Sequence, residues 1–261
     1  MKIKIVLAAT MFLAFFGAVS AQNYKTDVVI DGFAGKVSGV DQKLYEARVD
    51  GGEMERGAML EHLQTVYTSK GYRKSMTFLS TGENNVIFRT RYKHDGFGLV
   101  TLEQVVDPNE NVVGRTYYIY DQNNVLSETY VEDAERQVEN RVRIYYDNKG
   151  RVSQRSYNDP KNEIYKREVY TYDVNGDVAR VVVFDRSKKK VRELRYEYDE
   201  NHQPVSQTLY DYTESEPEVF VTLFRYQYDD KGNWIQKVEY VLDNDRTTPV
   251  YITERHLEYF Q

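Results

Sequence analysis

Few residues in this 261-residue chain have the types and spacing that bond-making chemistry needs. The four histidines, His62, His94, His202 and His256, include no pair at metal-ligand spacing. There is no Cys, which excludes thiol chemistry and disulfide staples. No Gly-x-Ser-x-Gly elbow, Gly-x-Gly-x-x-Gly fingerprint or phosphate-binding Gly-x-x-x-x-Gly-Lys loop occurs. Asp173-x-Asn175-x-Asp177 opens like a calcium loop. Val178 then stands where the loop needs Gly, and Phe184 where it needs an acid. Glycoside hydrolysis needs two carboxyl groups about 5–10 Å apart in a cleft. With 41 acidic residues, spacing alone nominates no such pair. No catalytic residue, metal or cofactor is therefore expected. What remains is aromatic: a single Trp, Trp234, and 24 Tyr.

Composition sets the frame for those aromatics. At 41% hydrophobic, 29% charged and 14% aromatic, the chain is too polar for a helical membrane protein and too aromatic for a disordered one. Lys2 and Lys4 precede an apolar run from Ile5 to Val19, and Val19-Ser20-Ala21 supplies small residues for cleavage. Residues 1–21 thus read as a cleaved secretory signal, with Gln22 as the mature N-terminus. Without a Cys at the cleavage point the product is not a lipoprotein, so a periplasmic or secreted protein is expected. Cleavage moves the net charge from −6 to −8, and an acidic chain without a basic block is a poor match for nucleic acid.

The elements that must carry the aromatics repeat. Tyr92-Lys93-His94-Asp95, Tyr118-Ile119-Tyr120-Asp121, Ile144-Tyr145-Tyr146-Asp147, Tyr170-Thr171-Tyr172-Asp173, Tyr196-Glu197-Tyr198-Asp199 and Tyr226-Gln227-Tyr228-Asp229 align on the Asp. The spacings are 26, 26, 26, 26 and 30 residues. Before each Asp the pattern alternates, as in Leu194, Tyr196 and Tyr198 against Glu193, Arg195 and Glu197, which is the period of a strand. The Asp opens a four-residue turn whose fourth position is Gly98, Asn124, Gly150, Gly176, His202 or Gly232, types that tolerate positive φ. This predicts a type I turn closed by a Gly bulge, then a second strand and a polar return loop.

Each repeat is one β-hairpin. Residues 22–261 are expected to form a single all-β domain: degenerate hairpins over 33–91, repeats over 92–250 and a closing strand over 251–261. The predicted architecture is an antiparallel up-down meander of six hairpins in one long twisted or curled sheet. The alternative is a closed barrel-like or superhelical arrangement of the same hairpins. Stacked hairpins would place the Tyr at one and three positions before each Asp in two ladders.

The Tyr-x-Tyr-Asp-x-x-Gly unit resembles the YD repeats of the RHS/YD-repeat family. Tyr226-Gln227-Tyr228-Asp229-Asp230-Lys231-Gly232-Asn233-Trp234-Ile235, followed by Ile252-Thr253-Glu254-Arg255, resembles the last repeat of small secreted proteins from Bacteroidota-like bacteria. The resemblance implies a spiralling β-sheet architecture and, as a general expectation, carbohydrate binding. It implies no activity, and no toxin domain follows the repeats.

Two functions fit these features. One is a non-catalytic envelope or extracellular protein whose long β surface and strand edges bind another protein. The other is a glycan-binding module. Trp234, Tyr118, Tyr120, Tyr170, Tyr172, Tyr196, Tyr198, Tyr226 and Tyr228 are the candidate contact residues for either; the mostly apolar counterparts of Trp234 in earlier units, Leu126, Val152, Val178 and Pro204, favour a role capping the end of the core over an aromatic platform. A membrane-spanning barrel is not expected, because charges such as Arg141, Arg143, Glu193 and Glu168 interrupt both strand faces. The repeat makes its own prediction. Deleting residues 122–147, one full unit, should leave a folded protein whose far-UV spectrum is essentially free of helix. Deleting 13 residues should not, and equal misfolding of both variants would refute the modular reading.

Overall fold

The structure, a computed structural model, describes residues 25–244 and 246–261. The leader expected over 1–21 lies outside the described residues. One helical turn, α1 (Asp27–Ile30), is followed by sixteen strands. The first three are β1 (Val37–Asp50), β2 (Glu53–Tyr67) and β3 (Arg73–Leu79). Five repeat hairpins follow as β4 (Val86–His94) with β5 (Val100–Val106), β6 (Val112–Tyr120) with β7 (Leu126–Asp133), β8 (Val138–Tyr146) with β9 (Val152–Asn158), β10 (Ile164–Tyr172) with β11 (Val178–Asp185), and β12 (Lys190–Tyr198) with β13 (Pro204–Asp211). The sixth is β14 (Glu218–Tyr228) with β15 (Trp234–Asp243), and β16 (Arg246–Tyr259) ends the chain.

Each strand pairs antiparallel with its sequence neighbours, and β16 pairs with β1 from Val37↔Tyr259 to Glu46↔Tyr251. The sheet is therefore a closed barrel, the second of the two arrangements expected from the repeats. The early hairpins pair as the sequence predicts. Asp50 faces Glu53 across Gly51 and Gly52, whose φ values of 57° and 90° suit a two-residue turn that only Gly adopts cheaply.

The aspartate turns follow the predicted chemistry. In the third hairpin the Asp147 carboxylate accepts the Lys149 and Arg151 N–H groups at 2.9 Å each, while Gly150 N–H bonds the Asp147 carbonyl. The fourth turn residue has positive φ throughout, including Asn124 (59°) and His202 (59°). The sequence reading missed that the opposite rim uses the same device. Asp95, Asp107, Asp121, Asp133, Asp147, Asp159, Asp173, Asp185, Asp199 and Asp211 follow at alternating intervals of 12 and 14 residues. The return loops at Asp107, Asp133, Asp159 and Asp185 repeat the turn, with Glu110, Arg136, Asn162 and Lys188 at φ 65–67°. Both rims are thus pinned by carboxylates bonded to their own turns.

The Tyr ladders do not stack. Equivalent tyrosines sit two strands apart, about 9–10 Å, beyond the range of ring contact. The face they share is the inner one. On it, groups from separate strands converge: Arg73 of β3 lies over Tyr92 of β4, and Tyr118 of β6 donates to Glu103 of β5. Sixteen strands enclose more space than side chains fill. In keeping with that, only thirteen hydrophobic residues are fully buried among the described residues.

Turn strain supplies a stability prediction. Lys188 holds φ 67°, a left-handed conformation that costs an L-residue about 1 kcal/mol relative to Gly. Lys188→Gly should raise the urea midpoint by a stability of that order, and a lower midpoint would show the turn to be relaxed already.

Candidate functional site

The barrel has a floor. Residues 26–36 cross the rim where the repeat turns lie. Val28 N–H bonds Gly71 O at 3.0 Å, and Phe260 N–H bonds Lys36 O at 2.9 Å. The buried Asn233 amide accepts Ala34 N–H at 2.7 Å and donates to Ala34 O at 3.0 Å, mimicking a strand partner. Val28, Phe33, Val37, Val40 and Tyr67 form an apolar cluster beneath this segment, with Leu257 and Tyr259 against it. Few contacts in the barrel are so apolar, which is why a segment with only one helical turn holds its place.

Two aspartates of the floor reach the wall. Asp27 accepts Arg73 N–H at 2.5 Å and lies 2.8 Å from His94 Nε2. Asp31 accepts the Tyr67 hydroxyl at 2.5 Å and pairs with the Arg73 guanidinium. Burial raises the Asp31 pKa, and Arg73 and then Tyr67 oppose that rise without cancelling it. Arg73 also covers the Tyr92 ring at 5.0 Å.

The nine candidate aromatics all lie on the inner face, and their hydroxyls divide into two classes. Tyr120, Tyr172 and Tyr198 donate to the carbonyls of Val100, Val152 and Val178, each the first residue of the neighbouring strand, at 2.7–3.0 Å. Tyr146 does the same to Leu126. In the last unit β14 is two residues longer than the equivalent strands. There Tyr226 takes over this bond, to Pro204 O at 2.9 Å, and the Tyr228 hydroxyl lies 3.4 Å from Asp199. These tyrosines fasten strands together.

The other column faces charge. Tyr118 donates to Glu103 at 2.6 Å, and Tyr170 and Tyr157 donate to Glu168 at 2.6 and 2.7 Å, with Lys166 at 3.0 Å. Burial raises the Glu103 pKa. At Glu168 burial acts the same way, but Tyr170, Lys166 and Tyr157 outweigh it and the net shift is downward. The Tyr196 hydroxyl is buried with no partner among the described residues, and burial pushes its pKa up to about 12. Trp234, half-buried, packs 6.0 Å from Tyr226 and lies under the Arg255 guanidinium at 3.3 Å.

The outer face is a lattice of charges. Glu193 is 1% exposed because Arg180, Lys190 and Arg195 each bind it at 2.8 Å. The Arg180 hydrogen bond leads in pulling its pKa to about 2. Glu128 pairs with Arg141 and Arg143 in the same manner, and Tyr117 stacks on Tyr130 at 4.7 Å beside them. Asp173, Asn175 and Asp177 form a repeat turn: Asp173 accepts the Asn175 and Asp177 N–H groups, and Asp177 pairs with His202 at 2.6 Å.

Sequence reasoning located the aromatics and missed the charges among them. Glu168 was visible as an interruption of the Tyr face; Arg73, Glu103 and Arg255 were not singled out. Register exposes them, since Glu103 sits opposite Tyr92 and Arg255 opposite Gln42.

No family model and no curated protein matches the chain. Among solved structures, a porin-like protein from Bacteroides uniformis is 9% identical with a TM-score of 0.58. That match covers 87% of this chain and 98% of that one, and it shows a shared fold. A porin-like protein from Bacteroides vulgatus is 11% identical (TM-score 0.45), covering 86% of this chain and 99% of that one. The TcdB2-TccC3-Cdc42 structure matches at 14% identity and a TM-score of 0.30, over 78% of this chain and 13% of that one.

The floor contacts yield a signed prediction. Arg73→Met leaves Asp31 buried without its cation, which costs roughly 3 kcal/mol at pH 7. The folded pKa of Asp31 then rises further above its unfolded value. Stability should therefore recover as pH falls from 7 toward 5, where the folded state takes up the proton. Urea midpoints at the two pH values test this; an unchanged or lower midpoint at pH 5 would contradict it.

Proposed function

We propose that this chain is an exported, non-catalytic binding protein that takes a glycan into the lumen of a barrel standing in water. The observation that carries this reading is the sorting of the two faces. Rings and carboxylates with hydroxyl partners gather on the inner face, while the outer face is laced with ion pairs such as Arg180–Glu193 and Arg141–Glu128. A barrel bathed in lipid needs the reverse, an apolar outer band about 25 Å tall. That argues for water outside, whatever the porin-like name of the Bacteroides uniformis protein suggests for that molecule. No helix among the described residues is long and apolar enough to cross a membrane.

Sugar recognition uses aromatic faces beside groups that bond hydroxyls, and Tyr118–Glu103, Tyr170–Glu168 and the unpartnered Tyr196 hydroxyl offer both. Binding of a protein strand along an open edge has no edge to use in a closed sheet.

A pair of obstructing variants tests the reading. Val183 stands opposite Glu168 on the inner face, and Leu223 opposite Tyr240 on the outer one. Residues 22–261 should bind a subset of oligosaccharides on a glycan array. Val183→Trp should abolish that binding, and Leu223→Trp should leave it intact. Equal effects of the two substitutions, or no glycan bound at all, would overturn lumen binding.

A further inference from the structure

Several inner-face cations are matched to carboxylates. Arg73 pairs with Asp31, Lys166 with Glu168 at 3.0 Å, Arg192 with Asp211 at 3.1 Å and Lys237 with Glu239 at 2.6 Å. Arg255 has no ion pair among the described residues. Its one hydrogen bond runs from Nε to Gln42 Oε1, at 2.8 Å. The adjacent Glu254 is turned the other way, to Arg56 at 2.8 Å. Asp31, the nearest acid of the floor, is already held by Arg73 and Tyr67.

The Arg255 guanidinium is nevertheless fixed. Its Cζ lies 3.3 Å from the centre of the Trp234 ring and 5.1 Å from that of Phe33, so two aromatic faces set its plane. Gln42 sets its rotation. Both terminal Nη groups are left without an acceptor among the described residues, beside the floor of the lumen. Burial pulls the pKa of this group down to about 9, which still leaves it a cation at neutral pH. A planar fork held between rings and lacking an acceptor is pre-organised for a planar bidentate anion, and a carboxylate has that shape.

We infer that Arg255 is the anchor of the lumen for a carboxylate carried on a sugar ring, a uronic acid, with Tyr226 and Trp234 lining the place where the ring lies. This rests on the lumen-binding reading and specifies its ligand class. Tyr226 packs 6.0 Å from Trp234, so a ring bound at the Nη groups meets aromatic surface at once. Neutral sugars would meet the same walls without the anchor.

Trp234 is the only Trp in the chain and touches the anchor, so its emission reports occupancy directly. Residues 22–261 are titrated with trigalacturonate and with its fully methyl-esterified form. The acid should change Trp234 emission saturably, and the ester should bind at least tenfold more weakly. Arg255→Met should weaken the acid tenfold or more by calorimetry. Arg255→Lys, which keeps the charge and loses the fork, should weaken it about three- to fivefold. Far-UV spectra check that both variants fold; if Arg255→Met does not, the lysine variant and the ester still decide. Equal binding of acid and ester removes Arg255 from the site while leaving lumen binding intact. No saturable response to the acid overturns the anchor, and lumen binding is then judged by the Val183→Trp and Leu223→Trp pair.

Discussion

One aspartate carboxylate bonded to the backbone of its own turn is the contact on which this barrel depends. Asp147, Asp159 and Asp173 each accept two N–H groups within a turn that places its fourth residue at positive φ. The carboxylate replaces water for those donors, so the chain can reverse tightly even where Lys188 or Arg136 occupies the strained position. Because the device recurs on both rims at alternating intervals of 12 and 14 residues from Asp95 to Asp211, each strand from β5 to β12 begins and ends at a fixed point. Fixed ends fix register, and fixed register keeps each Tyr on the same side of the sheet around the whole circuit. At Asp147 and Asp159 the backbone N–H groups of Arg151 and Glu163 lead in holding the carboxyl pKa below its usual range. Their support of the fold is present above about pH 4 and fades as pH falls through those depressed values.

Closure makes the inside of the molecule a different kind of interior from a packed core. A sheet that closes on sixteen strands cannot fill itself with side chains, and the inner face is correspondingly polar. Carboxylates there are not isolated. Glu168 has three donors and Glu103 has the Tyr118 hydroxyl, as buried acids require. The apolar contribution is concentrated under residues 26–36, where Val28, Phe33, Val37, Val40 and Tyr67 meet. The rest of the fold relies on its backbone ladder and on long side chains lying along the sheet, as where Arg180, Lys190 and Arg195 cover Glu193.

The parts of this arrangement legible in the sequence are the local ones. Alternation, the Asp turn and the 26-residue spacing are written within each hairpin, so strand existence, order and turn type can all be read there. Closure is not local. It depends on β16 meeting β1, and neither strand carries a mark of its partner. The floor is hidden for the same reason, since Asn233 grips Ala34 across 199 residues. The expected Tyr ladders failed on distance, because each repeat contributes two strands and equivalent rings never touch. Charges such as Glu168 were read only as interruptions of the apolar face that a membrane-spanning barrel needs, because alternation marks a face without saying what that face meets.

The placement of that face inside the closed sheet bears on function. With the Tyr face inside the closed sheet, four of the nine candidate aromatics lose the availability of their hydroxyls. Tyr120, Tyr172, Tyr198 and Tyr226 use their hydroxyls on strand carbonyls and offer only ring surface. The polar work passes to groups one step further from the rim: Tyr118 with Glu103, Tyr170 with Glu168, and Tyr196 with no protein partner. Such a division is efficient for a repeat protein. The column nearest the turns supplies the fastening in four units; in the first, His94 turns to Asp27 instead, and in the last, Tyr226 of the deeper column makes the bond. The deeper column, Tyr in every unit but that of Ile144, abuts acids that differ from strand to strand, such as Glu103 and Glu168. On the proposed lumen-binding reading, specificity comes from that second column and from the floor beneath it, where the repeat gives way to Phe33, Trp234 and Arg255.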